Sequence, residues 1–150
     1  MFSKRKTCFL FGHRDTPEYI YGTLVDAIKK EIEKGAVYFY VGYRGSFDQM
    51  AIRALINAKQ LYPHIVPMLL LSHHPALCPV SVPEGFAGSY YPPIDLTPPK
   101  YSIVKSNEYA IKMSDSIICY AHWIGNSRNL LQKATKGNIP ITNLCISTEP

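Results

Sequence analysis

Thr7-Cys8-Phe9-Leu10-Phe11-Gly12-His13-Arg14-Asp15-Thr16-Pro17 is the stretch whose reading settles the fold. An apolar run stops at a glycine, a polar turn follows, and Asp15 or Thr16 stands where a side-chain oxygen can cap a helix opening at Pro17. The order is strand, turn, helix. Downstream, Ile20, Leu24, Ala27, Ile28 and Ile32 recur at helical spacing, Lys29, Lys30, Glu31 and Glu33 take the other face, and Gly35 ends the pattern. Such a stripe needs a sheet to cover.

The same alternation repeats along the chain. Ala36 to Val41 is rich in aromatic and β-branched residues and ends at Gly42; Ser46 then stands as cap for a helix carrying Phe47, Met50, Ala51, Ala54, Leu55 and Ala58. Apolar runs at Ile65 to Leu71, Asp115 to Ala121 and Ile139 to Leu144 supply three further strands. Tyr101 to Met113 is helix-compatible, and Ser127 to Thr135 forms a short helix closed by Gly137. Pro and Gly crowd the stretch from Pro75 to Pro99, which reads as a long loop. The pattern predicts an α/β, Rossmann-like parallel sheet of about five strands with helices on both faces, in a single domain spanning residues 1–150. In that fold ligands bind beyond the carboxyl ends of the strands.

Composition narrows the classes. With 47% hydrophobic and 18% charged residues the chain is not a disordered tail, and the run from Ile65 to Leu71 is interrupted by Pro67 and too short to cross a bilayer. The basic start lacks an apolar segment with a small-residue cleavage site, so the expected location is the cytoplasm and no membrane contact is expected. A net charge of +5 favours anionic partners, but the basic residues are spread over helix faces, and nucleic acid ranks last among partners on that ground. Cys8, Cys78, Cys119 and Cys145 lack metal-ligand spacing and read as free thiols; no metal site and no cofactor are expected.

The segments after four of the strands gather the polar chemistry. Four of the five histidines fall in Gly12-His13-Arg14-Asp15, Gly42-Tyr43-Arg44-Gly45-Ser46-Phe47-Asp48, Ser72-His73-His74-Pro75 and His122-Trp123-Ile124-Gly125-Asn126-Ser127. Gly42 and Gly45 flank a turn into a helix amino terminus, where backbone N–H groups and the helix dipole attract an anion; Gly125, Asn126 and Ser127 repeat the arrangement. Neither matches a Walker loop or GxGxxG. Arg14 and Arg44 offer forks suited to phosphate, Asp48 can accept from ribose hydroxyls, and His13, His73 and His122 can hydrogen-bond a ligand. Tyr43 can stack on a base.

Thr7 to Arg14, the Gly45-Ser46-Phe47-Asp48 turn, the stretch from Asn107 to Asp115, and Gly125-Asn126 together resemble the SLOG superfamily, and within it the small YpsA-like, DUF1273-type proteins of Firmicutes and their phages. The resemblance implies a Rossmann-like sheet whose turns bind nucleotides, nucleotide sugars or ADP-ribose-derived signals. Carried over by position, it implies ligand contacts at Gly12, His13 and Arg14, at Gly42 to Asp48, and at Gly125 with Asn126; Asn107 matches the Asn of the family's Arg-Asn pair. Ser106 replaces the Arg of that pair, Asn126 stands where a second Gly is common, and the PGGxGTxxE signature of the phosphoribohydrolases is absent.

The leading expectation is noncatalytic binding, as sensor or sponge, of a nucleotide-derived small molecule such as a cyclic nucleotide or ADP-ribose-type signal, including a phage counter-defence role. No catalytic residue is assigned in that reading. One alternative is a nucleotide N-glycosidase or transferase with Asp48 as nucleophile or ribose orienter and His13 or His122 as acid. A second alternative is single-stranded DNA binding. Domains of this size often pair to complete a pocket, and a homo-oligomer, dimer or higher, is expected.

Overall fold

The computed structural model describes residues 5–121 and 126–145. β1 (Lys6–Gly12) leads through a 3-10 turn at Glu18–Ile20 into α1 (Tyr21–Glu33), followed by β2 (Ala36–Val41), α2 (Ser46–Leu61) and β3 (Val66–Leu70). The chain then forms β4 (Gly88–Tyr90), a second 3-10 turn at Pro99–Tyr101, α3 (Ser102–Met113), β5 (Ser116–Tyr120), α4 (Asn126–Lys136) and β6 (Ile141–Asn143). All neighbouring strands pair in parallel, in the order β4-β3-β2-β1-β5-β6. The chain runs outward from β1 through β2 and β3 to β4, then returns to the other side of β1 for β5 and β6. The reversal lies between β1 and β5.

Strand alternation in β1 divides the core. Cys8 and Leu10 face one side with Leu24 and Ile28 of α1 and Met50 and Leu55 of α2; Phe9 and Phe11 face the other with Ala110 and Ile111 of α3 and Leu130 and Ala134 of α4. Each fully buried large side chain contributes about 1.5–3 kcal/mol, so a strand apolar on both faces belongs at the centre of the sheet. β1 sits there. No helix among the described residues is long and apolar enough to cross a membrane.

The sheet has six strands, one more than expected. The extra one, β4, is three residues long, lies inside the Pro- and Gly-rich stretch, and pairs Gly88, Ser89 and Tyr90 with Met68, Leu69 and Leu70. A strand held at one edge carries no apolar run to betray it. Two helix starts also differ. Pro17 is extended and α1 opens only at Tyr21 after the 3-10 turn. Gly45 is the residue before α2, and Ser46, read as the cap, sends its hydroxyl to the Thr16 carbonyl at 2.7 Å. After α4 the left-handed position is taken by Asn138 (φ 57°), a residue tolerant of that conformation, and not by Gly137.

Candidate functional site

The carboxyl ends of β1, β2 and β3 meet the amino-terminal half of α3 and the start of α4 around one cleft of about 580 Å³. It opens where the strand order reverses, the place where open parallel sheets bind ligands.

One wall is made by two loops pressed together. A Cβ on Gly12 would fall 2.4 Å from Cγ of the fully buried Phe47, so only glycine lets that ring cross the end of β1. A Cβ on Gly45 would fall 2.7 Å from the Arg14 Cα, so the loops after β1 and β2 touch through backbone. Ser46 N–H donates to the Arg14 carbonyl at 2.8 Å, and Thr16 Oγ1 donates to the His13 carbonyl at 2.7 Å. The α2 amino terminus is therefore partly committed: the Ser46 N–H serves the neighbouring loop, and the Arg44 N–H donates to Asp48 Oδ2 at 3.0 Å.

Arg44 spans two strand ends. Its Nη2 lies 3.0 Å from Ser72 Oγ, 3.2 Å from His73 Nδ1 and 3.2 Å from the Tyr43 hydroxyl, and the guanidinium stands over the Tyr43 ring at 4.9 Å. Ser72 Oγ also lies 3.0 Å from His73 Nδ1, so Arg44, Ser72 and His73 form one hydrogen-bonded cluster in which the two Nη2 hydrogens serve three neighbours. Held this way, the fork is pre-oriented toward the cleft.

Asp48 lines the cleft beside Gly42, its Oδ2 2.9 Å from where a Gly42 Cβ would stand. Burial pushes its carboxyl from the ordinary 3.8 up to about 6, and the Arg44 N–H and charge offset only part of that. The wall opposite comes from α3 and the 3-10 turn before it. Ser106 is buried and donates to the Leu71 carbonyl at 2.8 Å, which docks the helix on the end of β3 and turns Lys100, Ile103, Val104 and Asn107 to the cleft.

Gly12, His13, Arg14, Gly42, Tyr43, Arg44, Gly45, Asp48, Asn107 and Ser127 of the expected residues line this cleft. His73 stands behind Arg44, Ser46 ties the loops and Phe47 is core. Asn126 opens α4, and His122 and Gly125 lie outside the described residues. Ser72, which opens one of the four strand-end segments, lines the cleft too, as do Lys100, Ile103 and Val104, which the sequence did not point to. The available signal was a pair of adjacent apolar residues, Ile103 and Val104, off the stripe that α3 buries through Ser102, Ser106 and Ala110.

The all-parallel sheet, helices on both faces and cleft at the reversal define a Rossmann-like α/β protein. A solved structure of similar fold is that of DNA processing protein A from Helicobacter pylori, described for its single-stranded DNA binding mode: TM-score 0.59, 21% identity, covering 91% of this chain and 63% of that one. The chain thus spans under two thirds of that protein's length. No family model and no curated protein matches the chain. The comparisons support the Rossmann-like fold that the resemblance to the SLOG superfamily implies, and nothing in them singles out the YpsA-like, DUF1273-type branch.

The ranking of nucleic acid last among partners does not stand. The fold that covers nine-tenths of this chain is also that of a single-stranded DNA-binding protein. Dispersion of charge along the sequence was the wrong measure, because folding brings Arg14, Arg44 and Lys100 to one cleft.

Proposed function

We propose that the cleft binds single-stranded DNA, with backbone phosphates against Arg14, Arg44 and Lys100. The observation that carries this reading is the convergence of those three cations, from three separate segments, on one cleft at the sheet reversal. Arg14 and Lys100 are exposed and Arg44 is pre-oriented, an arrangement suited to tracking a backbone. Asp48, ionised above about pH 6, lines the same wall as Arg14 and Arg44 and disfavours a phosphate directly against its carboxylate.

A second reading, capture of a free nucleotide-derived molecule as sensor or sponge, is favoured by the cleft volume of about 580 Å³, within the range of small-ligand pockets. Fluorescence anisotropy with a labelled thymidine oligomer, beside calorimetric titration with mononucleotides, separates the two. The DNA reading expects oligomer binding that weakens steeply with salt. Absence of oligomer binding at low salt, with a mononucleotide retained, overturns it in favour of the second.

A further inference from the structure

The two walls of the cleft differ in chemistry. The wall from the β1 and β2 loops carries Arg14, Arg44 and Asp48; the wall from α3 carries Ile103 and Val104, 39% and 37% exposed. Two β-branched apolar side chains left open to water in a cleft that also gathers three cations are not core residues, since α3 buries Ser102, Ser106, Ala110 and Ile111 instead. Asn107 lies four residues beyond Ile103, on the same helical face, and also lines the cleft. Its amide has no hydrogen-bond partner among the described residues.

We infer that the α3 wall is a base-reading subsite, with Ile103 and Val104 forming a shelf for the flat face of a nucleobase and Asn107 hydrogen-bonding its edge. The inference rests on the nucleotide-binding reading above and adds which part of the nucleotide goes where. A base is flat and apolar on its faces and polar on its rim, so it matches a shelf with one amide at its margin. A sugar or phosphate alone would leave the shelf bare. The Asn amide pairs one donor with one acceptor, and adenine offers the complementary pair on both edges, N6–H with N7 and N6–H with N1. Adenine therefore meets the amide whichever edge faces it.

The test compares a deoxyadenosine oligomer, a thymidine oligomer and an abasic oligomer of equal length by anisotropy. The wild-type chain is expected to bind the deoxyadenosine oligomer about tenfold more tightly than the abasic one, the scale expected from removing the base face and the aliphatic shelf from water. The double variant Ile103→Ser, Val104→Ser should lose most of that margin. Asn107→Leu should abolish the preference for deoxyadenosine over thymidine. Equal binding of abasic and base-carrying oligomers overturns the inference while leaving phosphate binding intact. If no oligomer binds, the DNA reading falls, and the wall is judged on adenosine monophosphate against ribose 5-phosphate. Tighter binding of the former, lost in the double variant, supports the shelf; equal affinity, or binding of neither, overturns it.

Discussion

Asp48→Asn should stabilise the protein at neutral pH. Burial raises the Asp48 carboxyl from 3.8 to about 6, which corresponds to about 3 kcal/mol of unfavourable charge burial above that pH. Asn is nearly isosteric and keeps an oxygen to accept the Arg44 N–H. Partial access to water at the cleft reduces the figure, so the expected gain is about 1–3 kcal/mol. The sign follows from proton counts. Between about pH 4 and pH 6 the folded chain holds a proton that the unfolded chain has released, so this group makes wild-type stability fall as pH rises, and its contribution is flat above that window. Urea unfolding of both proteins across this range is the assay. The variant should be more stable at pH 7.5, with the gap closing toward pH 4. A variant no more stable than wild type at pH 7.5, or a gap independent of pH, refutes the argument.

Gly12→Ala should cost about 1–3 kcal/mol in urea unfolding, because its methyl would overlap the Phe47 ring at 2.4 Å. Ser106→Ala removes the hydroxyl that reaches the Leu71 carbonyl and should cost about 1–3 kcal/mol, read by thermal unfolding. Cys8 and Cys119, buried with thiols pushed up to about 12, should react with a thiol reagent only after unfolding, whereas exposed Cys78 should react in the native protein; mass spectrometry of labelled peptides reports which.

Much of the fold was legible because period and punctuation agree. The central strands declare themselves as apolar runs ended by Gly12 and Gly42, and the helices between them carry one apolar stripe each. β4 was not legible, because three residues at a sheet edge depend on pairing with β3 and not on their own pattern. The loop wall of the cleft was readable from strand ends alone: Gly12 to Arg14 and Gly42 to Gly45 follow directly from the alternation. Its finer structure was not. Ser46 reads as a cap in sequence, yet it bonds the Thr16 carbonyl because Gly45 brings the two loops into contact. On the α3 side only Asn107 was legible, through the resemblance; Lys100, Ile103 and Val104 were not, because they follow a long irregular segment whose path no local signal dictates.

The most direct measurement is the salt dependence of thymidine-oligomer affinity for the wild-type chain and for the double variant Arg14→Ala, Arg44→Ala. Each phosphate neutralised on single-stranded DNA contributes about −0.7 to the slope of log affinity against log salt, so three cations predict a slope of about −2. Loss of two of them should bring it to about −0.7 and weaken binding at low salt by more than tenfold. Identical slopes and affinities for the two proteins would contradict the claim that this cleft holds the phosphates.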